Sequence, residues 1–228
     1  MVCLIIVKKI IVTDASEVAS ANHDILKRFP FVTYLAQQRS SQVDNIDRTH
    51  SVVNTKYILH FEDDWLVQRG GFINKSIEIL DKFPNVSVVS LIKPDEEFQR
   101  IDPIYPLNIY SAYLMVKDIP QCGGWGHFLW GPGLRRLSDY IEYAGRSYRN
   151  VTSMKSNEVL QSEARAAGIY IKKHFIHREW KVNWMMREKG FRVALLNDSS
   201  EVAYVKHVVG AGLDDMLKMM SDYHHLNK

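Results

Sequence analysis

Two hydrophobic periods alternate along the first ninety residues of the chain. "CLIIVKKIIVTD" (3–14) is rich in Val and Ile and stops at Asp14-Ala15-Ser16, the pattern of a buried strand running into a loop. Residues 17–28 take a helical period, with Ser16 as a candidate N-cap. "FVTYLAQQ" is a short strand, and "QVDNIDRTHSVV" places Val43, Ile46, His50 and Val53 near one helical face. "KYILHF" is a strand, "INKSIEILDKF" an amphipathic helix ended by Pro84, and "VSVVSLI" another buried strand.

The period is lost near residue 94. "KPDEEFQRIDPIYPLN" (93–108) reads as an acidic, proline-punctuated loop, "IYSAYLMV" as a strand, and "QCGGWGHFLWGPG" (121–133) as a loop rich in glycine and aromatic residues. Helices are expected at "LRRLSDYIEYA", "NEVLQSEARAA" and "HREWKVNWMMREK", and strands at "FRVALL" and "EVAYVKHV". There are no repeats and no low-complexity segment. Strand alternating with helix predicts an α/β fold with a largely parallel central sheet flanked by helices. A single domain over 1–228 is expected, with halves at 1–93 and 94–212 and a tail at 213–228.

Composition narrows this picture only slightly. The apolar fraction of 46% is enough for a sizeable core. The net charge of +3 is small and the Lys and Arg residues are dispersed, so no nucleic-acid partner is indicated. Cys3 and Cys122 form no disulfide framework, and an unpaired state in a reducing compartment is expected. The apolar N-terminus is interrupted by Lys8-Lys9 and lacks a signal-peptide cleavage pattern, and no stretch approaches the ~20 apolar residues of a membrane span. The expectation is a soluble, cytoplasmic protein with no membrane span.

The one stretch whose chemistry needs explaining is "YILHFEDDWLV" (57–67), where a strand runs into Glu62-Asp63-Asp64. In an open α/β sheet, ligands bind at the carboxyl ends of strands. Adjacent carboxylates are tolerated there when a hard cation such as Mg²⁺ or Mn²⁺ neutralises them, commonly together with substrate phosphates. An acidic surface turn capping the next element is the equally simple alternative. His60 lies two residues before Glu62 and so on the same strand face, where a packed core histidine is expected rather than a ligand. Trp65 either closes over a bound ligand or packs.

Taken together, "TDAS" after the first strand and "TKYILHFEDDW" after the third resemble the nucleotide-sugar-dependent glycosyltransferases of the GT-A fold. The chain is more similar still to a family-2-like subgroup of bacteria and large DNA viruses, through "GFINKSIEIL" (71–80) and "GPGLRRLSDY" (131–140); the resemblance covers roughly residues 10–210. It implies a metal-dependent transfer of a sugar from a nucleotide-diphosphate sugar to a carbohydrate or glycoprotein hydroxyl, with inversion. Asp64 then corresponds to the metal-binding acid, with Mn²⁺ or Mg²⁺ as cofactor. Asp14, Asp47, Glu62 and Asp63 correspond to the nucleotide-sugar side. The alternatives are a turn acid for Asp14 and an exposed helix acid for Asp47.

Further along, "HREWKVNWMMREKGFRVALL" is similar to the segment that carries the catalytic base of inverting members, which points to Glu179, with Glu158 and Glu163 behind it. A carboxylate suits that role because it is already unprotonated near neutral pH. Glu179 could equally be a surface acid pairing with Arg178 or Asn183. The resemblance makes His207 a second metal ligand, against an ordinary strand-end histidine. It places Trp125, Phe128 and Trp130 on the acceptor side, where flat rings stack on sugars; packing in the core is the alternative for each. Arg135 and Arg136 open a helix on this reading, with one facing the donor phosphates or both exposed. The family has an extra strand and helix ahead of the "TDAS" strand, and this chain starts almost directly on that strand. A GT-A domain without activity that binds a glycan or a protein is thus the second reading, and a nucleotidyltransferase the third, though the latter's Gly-rich, Lys-bearing loop is missing.

Overall fold

The computed structural model of the 228-residue chain describes residues 9–14, 27, 29–36, 40–92, 104–107, 112–115, 126–151, 162, 178–196 and 202–208. The expected helices at 17–28 and 157–167, both cysteines and Trp125 fall outside these residues, apart from Lys27 and Ser162. In chain order the elements are β1 (Ile10–Asp14), β2 (Val32–Ala36), α1 (Gln42–Ser51), β3 (Tyr57–His60), β4 (Trp65–Val67), α2 (Phe72–Lys82) and β5 (Val86–Ser90). They continue with β6 (Ile104–Leu107), β7 (Ala112–Met115), β8 (Gly133–Arg136), α3 (Leu137–Tyr143), a 3-10 turn (Tyr148–Asn150), α4 (Arg178–Glu188), β9 (Arg192–Leu196) and β10 (Val205–His207).

Strand and helix alternate as the hydrophobic pattern predicts, and the fold is mixed α/β. α1 buries Val43, Ile46 and His50, the face that the period marked out. Its start is fixed by Ser41, whose hydroxyl accepts the Asp44 N–H, as an N-cap should.

Among the described residues the main sheet has six strands, in the order β3-β8-β5-β9-β7-β6. It corrects the expectation of a largely parallel sheet. Within it only β5–β9 is a parallel pair, while β3–β8, β8–β5, β9–β7 and β7–β6 are antiparallel. A separate parallel pair joins β1 to β2. The difference comes from β8. "GLRRLSDY" has a continuous helical period, yet its first residues are extended and slot between β3 and β5. Arg136 ends the strand and is also the N-cap of α3, so no loop separates them. Gly133 makes this insertion possible: a Cβ there would lie 2.8 Å from the Val89 carbonyl oxygen and 2.9 Å from the Val88 side chain. The stretch 93–108, read as loop, contains β6, whose Pro106 is tolerated because β6 is an edge strand.

Two hydrophobic clusters pack on this framework. One gathers Val43, Ile46, Val88, Phe128, Trp130, Tyr140, Tyr148 and Met186, and the other Phe72, Ile79, Leu80, Val86, Val89, Leu134 and Tyr204. Val86 and Val88 would share a face of a regular strand. A register shift between them sends them to different clusters.

Arg136 locks α2 to the sheet. Its guanidinium donates to the carbonyls of Leu80 (2.5 Å) and Phe83 (3.0 Å) at the end of α2, to the Val86 carbonyl (2.8 Å), and to Asp139 (2.9 Å). A cation on the last carbonyls of a helix satisfies orphan acceptors and complements the dipole. No helix among the described residues is long and apolar enough to cross a membrane.

Candidate functional site

β3 ends at His60, and the chain then turns through Phe61-Glu62-Asp63-Asp64 into β4. β4 pairs antiparallel with β10, in a register that sets Val205 against Val67 and His207 against Trp65. Two backbone bonds close the ladder, Val208 N–H to the Asp64 carbonyl at 2.8 Å and Gln68 N–H to the Tyr204 carbonyl at 2.9 Å. Tyr204, buried at the head of β10, anchors this ribbon. The Arg69 guanidinium lies 3.6 Å from its ring centroid, and Lys75 on α2 reaches its hydroxyl at 3.0 Å. Arg69 also donates to the Val202 carbonyl at 2.7 Å.

The ribbon delivers His207 to Asp64. Asp64 Oδ2 accepts from His207 Nε2 at 3.1 Å, and both side chains are about half exposed. Asp64 Oδ1 is buried and has no hydrogen-bond partner among the described residues. A carboxylate oxygen left this way is costly unless something positive meets it.

Glu62 completes the cluster. Its carboxylate accepts from Gln42 Nε2, in the first turn of α1, at 2.5 Å. Burial, and then the neighbouring charge of Asp64, raise its pKa above the usual carboxylate value; Trp65, Gln42 and Arg135 oppose that rise. The Trp65 ring also packs against the His207 imidazole, with centroids 4.9 Å apart and planes at 51°. Glu62, Asp64 and His207 thus gather at one end of β3, while Asp63 is exposed.

The donor chemistry of this cluster fits a divalent cation. Oxygen from Asp64 and nitrogen from His207 suit Mn²⁺ better than Mg²⁺, whose preferred ligands are all oxygen. Among the described residues no group of three or more His, Cys, Asp or Glu side chains is placed to hold a metal ion.

The remaining residues singled out by sequence are used differently. Asp14 closes β1 opposite Ala36, and Glu179 lies in the first turn of α4; the side chains of both are outside the described set. Asp47 spends both oxygens on the protein. Oδ1 accepts from the Tyr140 hydroxyl (3.0 Å) and Tyr148 N–H (2.8 Å), and Oδ2 from the Ser147 hydroxyl (2.9 Å) and Arg149 N–H (3.0 Å). It is a brace for the 3-10 turn, where backbone N–H groups favour an anion.

Phe128 and Trp130 are 1% and 4% exposed, so the structure puts both in the core and not on the expected acceptor face. Their loop is pinned from α4 by Asn183, whose Oδ1 accepts from both His127 N–H and Phe128 N–H at 2.9 Å. Arg136 serves α2 as above, away from the expected donor phosphates. Arg135 is buried, donates to the Trp130 carbonyl at 3.1 Å, and faces the Phe128 ring.

Beneath the acidic turn lies a cluster that the sequence disclosed only in part. His50, 1% exposed, meets the rings of Tyr140, Tyr148 and His60 at 4.9, 5.7 and 6.2 Å. Neither ring nitrogen of His50 has a hydrogen-bond partner among the described residues, and burial followed by the Arg135 charge lowers its pKa to about 3. It is therefore neutral. His60 is half-buried and is neutral for the same two reasons. Gln42 had no sequence signal of its own, because its partner is twenty residues away. No protein-family model matches the chain, and no curated protein matches it either.

Proposed function

We propose that the chain is a metal-dependent glycosyltransferase of GT-A type, moving a sugar from a nucleotide-diphosphate sugar to a carbohydrate or glycoprotein hydroxyl with inversion. The observation that carries this reading is the delivery of His207 to within 3.1 Å of Asp64 Oδ2, at a strand end where Glu62 already crowds the same site. Two chain segments 143 residues apart converge there on the donor set that the motif resemblance implies.

In this reading Asp64 and His207 hold Mn²⁺ or Mg²⁺. When bound, the cation supplies charge stabilisation for a leaving diphosphate. Glu62, held by Gln42, orders the donor side of the site. Glu179 takes the acceptor hydroxyl proton as that oxygen bonds the anomeric carbon and the bond from that carbon to the diphosphate oxygen breaks. Asp14 contacts the base. A cytoplasmic location belongs to the same proposal.

The test is a titration of nucleoside diphosphates with and without Mn²⁺, read by calorimetry. Metal-dependent binding of at least one is expected; no binding of any would refute the proposal. Glu179→Gln is expected to abolish transfer and spare donor binding.

A further inference from the structure

The buried side chains of α1 are Val43, Ile46 and His50, and of these His50 alone is polar. It is 1% exposed, and the rings around it come from three other elements. Tyr140 on α3, Tyr148 in the 3-10 turn and His60 at the end of β3 all meet it edge to face. Arg135, buried on β8, is the charge that acts on it. The carboxylates of α1 are turned elsewhere. Asp47 serves Tyr140, Ser147, Tyr148 and Arg149, and Asp44 serves Ser41 and Arg149.

This seat accepts the imidazole in one protonation state. An imidazolium carries two N–H donors, and among the described residues neither ring nitrogen of His50 has a partner to receive them. The neighbouring imidazole, His60, stands under the same Arg135 charge. A helix C-terminus favours a cation, but burial and Arg135 outweigh that preference and lower the His50 pKa to about 3. With α1 undocked, the ring regains water and its ordinary value of 6.5. The undocked helix therefore takes up a proton that the docked one refuses.

We propose that His50 is an acid-released latch: protonation of its imidazole frees α1 from the core as a local unit while the six-stranded sheet stays folded. The end of α1 is suited to yielding first. Its last backbone bonds, Val52 N–H to the Thr49 carbonyl and Val53 N–H to the His50 carbonyl, are long at 3.4 and 3.2 Å. α1 also carries Gln42, which holds Glu62 at the acidic turn, and Asp47, which braces the 3-10 turn. Release loosens both places together. The latch does not depend on what the acidic turn binds.

Linkage fixes the size of the effect. One histidine that titrates near 6.5 when undocked and near 3 when docked raises the opening equilibrium about 30-fold between pH 7.5 and pH 5. Amide hydrogen exchange of the full chain reads local opening directly. After correction for the pH dependence of intrinsic exchange, amides of residues 42–51 are expected to lose about 30-fold in protection at pH 5, with those of β5 and β9 unchanged. His50→Phe, which fills the seat without a proton, is expected to keep the same α1 protection at both pH values.

Unchanged α1 protection in the wild type would overturn the proposal. So would a loss shared equally with β5 and β9, or an equal loss in a folded His50→Phe protein. Should His50→Phe fail to fold, the wild-type profile decides. A loss confined to α1 with a midpoint near pH 6.5 upholds the latch, and any other profile overturns it.

Discussion

Asp64 and His207 are 143 residues apart in sequence, and their side chains meet at 3.1 Å because β4 and β10 pair in one particular register. A slip of one residue would turn His207 to the opposite face of the ribbon. Asp64→Asn keeps an acceptor for His207 and removes the negative charge. It is expected to lower Mn²⁺ affinity by at least about 10-fold, since one charged ligand is lost, with little change in the unfolding midpoint. Calorimetric titration of Mn²⁺ checks this.

Glu62 is held at a cost to the fold. Its pKa is raised by burial and by Asp64. A carboxyl with a raised folded-state pKa binds protons more tightly folded than unfolded, so its favourable contribution is full below the unfolded value near 4.5 and is lost as pH rises through the folded one. At neutral pH the charged form therefore opposes folding. Glu62→Gln is expected to raise the thermal midpoint of the metal-free protein at pH 7 while weakening nucleotide binding in the presence of Mn²⁺. Parallel unfolding and binding measurements decide, and a lower midpoint would contradict the argument.

His50 acts in the opposite direction on the pH scale. Its pKa falls from 6.5 to about 3 on folding, so the unfolded chain binds more protons between those values. Stability contributed by neutral His50 is present above about pH 6.5 and is lost progressively as pH falls towards 3. His50→Phe fits the same ring-lined site and cannot be protonated. Its denaturant midpoint is expected to decline less than that of the wild type between pH 6.5 and 4, a comparison that urea titrations at several pH values supply.

Asp47 separates a brace from a ligand group. Asp47→Asn retains one acceptor oxygen but turns an NH₂ towards donors, leaving the Ser147 hydroxyl or the Arg149 N–H unpaired. A loss of about 1–3 kcal/mol is expected, measured by chemical denaturation, with nucleotide affinity unchanged. Weakened nucleotide binding without loss of stability would instead support the role that the sequence resemblance suggested.

Where the hydrophobic period was local, it was a good guide. The buried face of α1, the limits of α2 and the all-buried strand β5 follow from runs of eleven residues or fewer. The acidic turn at the end of β3 was legible for the same reason. What the period could not show was β8. Leu134, Arg135 and Arg136 continue the helical pattern of the residues after them, and only contacts with β3 and β5, fixed by the missing side chain of Gly133, make them a strand. Two arginines that looked like a helix opening became a buried strand residue and a helix cap as a result. Likewise, Phe128 and Trp130 look equally apt for a sugar or a core. Their burial depends on Tyr148 and Arg135, which pack against these rings from other elements.

The insertion of β8 also bears on how the chain reaches its native state. β3 and β5, separated in the chain by β4 and α2, do not pair with each other; β8 must arrive between them. A ribosome that has released only the first ninety residues has therefore produced two strands with unpaired edges facing one another across a gap. Such edges favour association with other chains until the gap is filled. Folding of the sheet centre then waits for residues 133–136 to be made, and high contact order predicts slow, post-synthetic closure.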